Sequence, residues 1–119
     1  MDKGEDKEIN EFILKLRSSN KLIIVEGKKD KAALEALGLK NIITLNKPLY
    51  KVVEDVKCKE CVILTDLDKK GKQLYGYLSS NLQRFGVKVD NNFRNFLFKK
   101  TELRQIEGLR TYIHKLFKQ

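Results

Sequence analysis

Two acidic residues, one position apart, follow an apolar run in the middle of the chain. Asp66 and Asp68 come directly after residues 61–64, which have the composition of a strand buried on both faces. Side chains at positions i and i+2 of an extended segment point the same way, so both carboxylates can offer oxygens to one hard cation. The pair therefore predicts a metal site. A helix N-cap is the ordinary alternative for an aspartate at such a place.

A second acid, Glu26, ends another apolar run at residues 22–25. If the two strands are neighbours in a parallel sheet, Glu26 shares a crevice with Asp66 and Asp68. Three carboxylates would repel one another, and a divalent cation would relieve that repulsion. Oxygen ligands in this number suit Mg²⁺ or Mn²⁺, which substrate phosphates complete. All three acids are catalytic candidates, with Glu26 as a metal ligand or as the general acid or base.

Glycine and lysine follow each acidic site. Gly27 and Gly71 lie at strand-to-helix transitions, where we expect unusual torsions and room for a phosphate beside the backbone. Helices that begin there would direct their positive dipole ends at an anion. Asp30 is a further candidate, although capping of its helix explains it more simply. The lysines predicted to contact phosphates, with a solvated helix face as the alternative, are Lys28, Lys29, Lys69, Lys70 and Lys72.

Apolar periodicity supplies the elements that would position these residues. Alternation of strands and helices predicts an α/β fold with a mostly parallel sheet in the order 2-1-3-4 and helices on both faces. The predicted helices are residues 5–18, 28–37, 49–56, 70–85, a short one at 93–97 and a last one at 109–116. The predicted strands are residues 22–25, 41–45, 61–64 and 87–89, the last at an edge, with a further strand at 101–106.

The composition favours one globular domain with a polyanionic partner. We expect a single domain at 1–119, with its core at 21–90 and a helical extension at 91–119. The net charge is +9. Residues 1–60 carry 13 basic and 11 acidic side chains, whereas residues 61–119 carry 12 and 5. This asymmetry favours nucleic acid over a membrane, with simple solubility as the alternative. A cytoplasmic location is expected, because the first residues lack an apolar signal core.

Cys58 and Cys61 form a Cys-x-x-Cys pair. A structural zinc site needs four ligands, and His114 is the only histidine in the chain. A thioredoxin-type pair follows a strand and opens a helix, whereas this pair precedes the strand. We therefore expect two reduced thiols.

Two segments resemble the signature motifs of the Toprim domain found in topoisomerases, primases and a ribosomal-RNA maturation nuclease. They are IIVEGKKD at residues 23–30 and LTDLDKKG at residues 64–71, and the resemblance extends over residues 21–90. It implies a Rossmann-like Toprim fold, Mg²⁺ bound by Asp66 and Asp68, and Glu26 in proton transfer or metal binding. The chain has no room for the separate domain that carries a topoisomerase tyrosine, so it is most similar to the small, single-domain members.

The leading functional hypothesis is a Mg²⁺-dependent nuclease or phosphoryl-transfer enzyme acting on RNA or DNA, with RNA ahead. The alternative is a binding module for nucleic acid or for an RNA-processing complex that cuts nothing. A third interpretation is phosphoryl chemistry on a nucleotide or small phosphate. Protein partners and a homodimer both remain open. Phe93, Phe96 and Phe98 could stack on single-stranded bases, but their spacing is more typical of a core.

Overall fold

The computed structural model describes residues 3–117, with side chains for residues 7–115. The ends of the predicted domain, residues 1–2 and 118–119, lie outside this range. The helices are α1 (Lys3–Ser19), α2 (Lys28–Ala36), α3 (Leu49–Asp55), α4 (Lys69–Arg84), α5 (Asn92–Lys100) and α6 (Leu109–Phe117). The strands are β1 (Leu22–Val25), β2 (Ile42–Thr44), β3 (Glu60–Ile63) and β4 (Lys88–Asp90), and a 3₁₀ turn occupies Ile106–Gly108.

The four strands form one parallel sheet in the order β2-β1-β3-β4. This confirms the predicted α/β class, the strand order and the edge position of the short last strand. Buried on both faces, β1 and β3 consist almost entirely of apolar residues, as parallel strands between two helical layers require.

Alternate residues of the central strands divide the core into two layers. Ile23 and Val25 of β1 face one layer, whereas Ile24 faces the other. The first layer is covered by residues of α1, α2, α5 and α6, and the second by residues of α3 and α4. In the first layer, Phe12 of α1 lies with its ring centroid 5.3 Å from that of Phe93 and 5.1 Å from that of Phe96. Helix α1 therefore packs against α5 on one face of the sheet.

The strand predicted at residues 101–106 is wrong. Residues 101–105 have no regular secondary structure, and the 3₁₀ turn begins at Ile106. The two apolar residues of the segment pack on the core without a strand: Leu103 is half-buried and Ile106 fully buried against the first core layer. The segment crosses the carboxyl ends of the strands, where the N–H of Leu67 donates to the carbonyl of Arg104 over 2.7 Å.

Both cysteines are free thiols, as expected. Cys61 is fully buried in the second core layer, and burial raises the pKa of its thiol to about 12. A thiol with that pKa is inert at neutral pH, since the thiolate is the reactive form. Separately, no helix within residues 3–117 is both long and apolar enough to cross a membrane.

Candidate metal and phosphate site

Glu26 and Asp66 meet at the carboxyl ends of two adjacent strands. Ile24 of β1 is in register with Ile63 of β3, and the N–H of Leu64 donates to the carbonyl of Ile24 over 2.8 Å. Just past the buried ends of the two strands, Oε2 of Glu26 accepts the N–H of Asp66 over 2.7 Å. The sequence prediction that these acids share one crevice depended on β1 and β3 being neighbours, and they are.

The segment with both aspartates turns sharply from β3 into α4. Asp68 is the N-cap of α4, and its Oδ1 accepts the N–H of Gly71 over 2.8 Å. The cap was the alternative explanation for this residue, and the structure shows that it is real. Asp66 Oδ1 accepts the N–H of Ile106 over 2.8 Å. Each carboxylate thus has one oxygen held by the backbone and a second oxygen that can bind a cation.

Gly71 is required by close packing. A Cβ at this position would lie 1.9 Å from the carbonyl oxygen of Asp66, a distance that only a shift of the backbone could relieve. The first turn of α4 sits directly on the Asp66 backbone, where the Thr65 hydroxyl donates to the Gly71 carbonyl over 2.7 Å. The expected unusual torsions are not found: within the described chain, the glycines with positive φ are Gly38 and Gly86.

Gly27 has an ordinary extended backbone, with φ −145° and ψ −177°. A Cβ there would have its nearest neighbour, Oδ2 of Asp30, at 3.9 Å, which is normal van der Waals contact. Asp30 is buried at the start of α2, and its Oδ2 accepts the N–H of Gly27 over 3.0 Å. Asp30 therefore acts as the cap that its position suggested. Gly27 is the N-cap of α2, a position that glycine favours over alanine, and no close packing excludes a larger side chain there.

Burial and mutual repulsion raise the pKa of three acids at this site. For Glu26, desolvation raises the pKa most, and the charges of Asp66, Asp68 and Asp30 add to it. The pKa of Asp66 is raised by desolvation and then by Asp68 and Glu107. Burial likewise raises the pKa of Asp30. Hydrogen bonds from backbone N–H groups oppose each shift without cancelling it. The site has an excess of negative charge that a cation would offset.

The donor set fits a magnesium-like ion held partly by protein. Its members are carboxylates, the ligands that hard divalent cations prefer. Within the residues described, no three His, Cys, Asp or Glu side chains are grouped closely enough to hold a metal by themselves. A complete cage is not what Mg²⁺ usually has: it keeps several waters and takes one or two carboxylates plus substrate phosphates. Asp66 and Asp68, with Glu26 beside them, match that incomplete pattern.

The predicted lysines lie in the first turns of the two helices that follow the acids. Lys28 is the first residue of α2 and Lys69 the first of α4. Both helices thus begin close to where predicted, and their N-termini flank the acids. All five of the predicted lysines have exposed side chains: Lys28, Lys29, Lys69, Lys70 and Lys72. Lys72 also lies over an aromatic ring, with its ammonium 4.5 Å from the centroid of Phe98.

Arg94 is a site residue that sequence analysis missed. It is buried on α5, where Nη2 donates to the carbonyl of Asp66 over 2.9 Å and Nε to that of Thr65 over 3.3 Å. Its guanidinium lies 4.5 Å from the ring centroid of Tyr75. Desolvation lowers the pKa of Arg94, while Tyr75, Glu26 and Asp66 oppose the change. One signal was present: an arginine adjoining the apolar stripe of a predicted helix, in a chain with clustered acids.

Glu107 also belongs to this edge and carried no sequence signal. It lies in the 3₁₀ turn, and its charge contributes to the raised pKa values of Asp30 and Asp66. Its own N–H donates to Asp30. Together with the bond from Ile106 to Asp66, the turn supplies backbone donors to two of the acids. The extension beyond residue 91 is therefore part of the site.

A four-stranded parallel sheet in this order, with acids at the ends of its central strands, defines an α/β fold with an acidic edge. The Toprim domain matches residues 20–91. The chain belongs to the Toprim domain family, which confirms the resemblance of its two motifs. That family is associated with nucleic acids, and its domains generally bind Mg²⁺.

Several relatives match most of this chain and most of their own length. The chain is 34% identical to a UPF0292 protein of Methanocaldococcus jannaschii, over 86% of this chain and 85% of that protein. It is 40% identical to a UPF0292 protein of Pyrococcus abyssi, over 89% and 85% respectively. Among solved structures, it is similar to a protein from Aquifex aeolicus with a TM-score of 0.75 and 38% identity, covering 82% of this chain and 94% of that one.

Proposed function

We propose that this protein is a Mg²⁺-dependent enzyme that cleaves or transfers phosphodiester bonds of nucleic acid, with RNA ahead of DNA as substrate. The observation that carries the proposal is the meeting of Glu26 and Asp66 at the ends of two buried strands, with Asp68 near enough for its charge to raise the pKa of Glu26. Burial and like charge both work against this arrangement, so it costs stability unless a cation binds. Membership of the Toprim family supports the same direction.

The acids have separate roles in this proposal. Asp66 and Asp68 hold the metal, while their backbone-bonded oxygens fix the orientation of each carboxylate. A bound Mg²⁺ would offset charge on a phosphodiester and lower the pKa of a coordinated water. Glu26 takes or gives a proton, because its raised pKa brings it nearer to neutral pH, where such transfer is efficient. Mn²⁺ is the expected substitute.

The lysines bind the nucleic-acid backbone. The N-termini of α2 and α4 add favourable dipoles on either side of the acids. Gly27 leaves its backbone open to a phosphate oxygen, since the structure gives no packing reason for the missing side chain. Lys28, Lys29, Lys69, Lys70 and Lys72 then position the strand through its phosphates, without reading its sequence.

A metal-dependent cleavage panel tests the proposal. Structured RNA, single-stranded DNA and supercoiled DNA are incubated with Mg²⁺ or Mn²⁺ and the wild type, Asp66→Asn or Glu26→Gln. Both substitutions keep an oxygen that can accept the existing backbone N–H, so the fold is preserved. Cleavage should disappear in Asp66→Asn while nucleic-acid affinity is largely retained. Glu54→Gln, an exposed change on α3, is the matched control. Undiminished cleavage by Asp66→Asn would refute the proposal.

The second candidate is a nucleic-acid-binding module, or a component of an RNA-processing complex, that does not cleave. One observation favours it: Glu26, Asp66 and Asp68 each already accept a backbone hydrogen bond that stabilises the fold. The same panel separates the two candidates. Wild-type protein that binds every substrate but cuts none, with either metal, would support the binding module.

A further inference from the structure

An exposed aromatic ring lies beside the acids, in contact with two basic side chains. Phe98, near the end of α5, is 37% exposed, whereas Phe93 and Phe96 of the same helix are buried in the core. The Lys72 ammonium is 4.5 Å from the Phe98 ring centroid, and the Arg104 guanidinium carbon is 5.3 Å from it. The expectation that these phenylalanines form core is therefore right for two of them, but Phe98 requires another explanation.

Both basic residues are attached through the backbone to the segment that carries the aspartates. The N–H of Lys72 donates to the carbonyl of Asp68 over 2.9 Å. The carbonyl of Arg104 accepts the N–H of Leu67, the residue between Asp66 and Asp68, over 2.7 Å. The ring and its two cations thus belong to the same edge as the acids.

The chemistry of this patch suits an unpaired nucleotide. Every base can stack on an aromatic ring, and flanking cations hold the adjoining phosphates. Bases inside a duplex are stacked on their neighbours, so only an unpaired base presents its face. A cation over an exposed ring is held more weakly than a stacked base. Exposed Lys72 can therefore leave the ring for a phosphate, whereas Arg104 is also fixed by its Nη1 bonds to the carbonyls of Thr101 and Leu103.

We propose that Phe98, Lys72 and Arg104 form a stacking platform that binds an unpaired base of RNA or DNA next to the acids. This inference rests on the proposed function and narrows its substrate to nucleic acid with a single-stranded segment near the reacting phosphate. A protein ligand fits less well. The patch offers one ring between two cations, in the half of the chain that carries 12 basic and 5 acidic residues.

Equilibrium binding of short labelled oligonucleotides tests the platform. Single-stranded RNA, single-stranded DNA and the matching duplexes are titrated with EDTA present, so that cleavage does not interfere. Phe98→Ala should weaken single-strand binding roughly 5- to 100-fold and leave duplex binding nearly unchanged. Phe98→Tyr, which keeps a ring, should retain affinity. Phe85→Ala is the matched control, because Phe85 is 71% exposed at the opposite end of α4.

Two further measurements protect the test against a folding artefact. Phe98→Leu keeps an apolar side chain but removes the ring, and should lose the quenching of a 2-aminopurine base that the wild type produces. Lys72→Gln and Arg104→Gln should each lower the salt dependence of binding by about one unit of slope. Unchanged single-strand affinity in Phe98→Ala and Phe98→Leu would overturn the platform, as would an equal loss for duplex or in Phe85→Ala. Loss of the platform leaves the Asp66→Asn cleavage result untouched, so the two proposals fail separately.

Discussion

Two glycines that look equivalent in sequence should differ in how much folding stability they lose on change to alanine. Gly71→Ala puts a Cβ 1.9 Å from the Asp66 carbonyl oxygen. We therefore expect the free energy of unfolding to fall by at least about 2 kcal/mol, although alanine has the better helix propensity. Gly27→Ala meets no close atom and has an extended backbone that any residue adopts. Because Gly27 is the N-cap of α2, where alanine is disfavoured relative to glycine, this change should cost only about 0.5 kcal/mol of folding stability.

Urea denaturation of both variants measures these stabilities. Cleavage by Gly27→Ala adds information: an activity loss in a fully stable protein would indicate that a phosphate approaches the backbone there. Stabilities that are equal for the two variants would contradict the packing seen at Gly71.

Glu26 should destabilise the metal-free protein at neutral pH. Its folded-state pKa is raised, chiefly by burial, above its ordinary value of 4.5. The folded state therefore holds its proton to higher pH than the unfolded chain, and stability falls as pH rises through this interval. Glu26→Gln removes that contribution while it keeps an acceptor for the Asp66 N–H. The variant should be more stable than wild type at pH 7 in EDTA.

Denaturation series that begin near the ordinary pKa of a glutamate, at about pH 4, and rise to about pH 7 check the sign. The gain of Glu26→Gln should shrink toward the acidic end. Glu54→Gln, on the exposed face of α3, provides the reference. A gain that is constant with pH would show that the charge of Glu26 is not its cause.

At the scale of elements, α5 secures the end of β3 through one side chain. Arg94 donates to the carbonyls of both Thr65 and Asp66 from a buried position. Arg94→Ala leaves these carbonyls without their charged donor, and we expect the free energy of unfolding to fall by about 2 kcal/mol or more. Arg110→Ala, an exposed change on α6, should stay within about 0.5 kcal/mol of wild type. Thermal unfolding of the two variants compares them directly, and similar midpoints would argue against a structural role for Arg94.

The secondary-structure elements that could be predicted were those marked by a continuous or a periodic pattern of apolar residues. Residues 22–25 and 61–64 are continuous apolar runs, so their strands, their burial and the acids at their ends followed from the sequence. Residues 101–106 have no periodic apolar pattern, and the strand predicted there is a loop whose apolar residues pack on the core. Arg94 had only a weak signal in the sequence, an arginine beside an apolar stripe, since its partners are backbone carbonyls, which no side-chain pattern encodes.

At the scale of the whole molecule, the position of positive charge should matter more than its amount. Changing Lys28, Lys29, Lys69, Lys70 and Lys72 to Gln should reduce the slope of log K against log salt by up to about five units, about one for each phosphate that the variant no longer binds. The control changes five exposed lysines on other parts of the surface to Gln and removes the same charge: Lys7, Lys15, Lys40, Lys57 and Lys59. Equal slopes in the two variants would mean that net charge alone attracts the nucleic acid.

The segment at residues 101–108, which crosses the carboxyl ends of the strands, determines whether the domain can keep its acidic edge in isolation. The Toprim match ends at residue 91, yet backbone groups at positions 104 and 106 bond with Leu67 and Asp66. A fragment cut at the family boundary would expose Leu67 and leave one oxygen of Asp66 without its donor. If residues 20–91 were placed in a larger protein, another segment of that protein would have to make these bonds to Leu67 and Asp66. The acidic edge is therefore built from two parts of the chain: the residues of the Toprim match, and the segment at 101–108 that bonds to them.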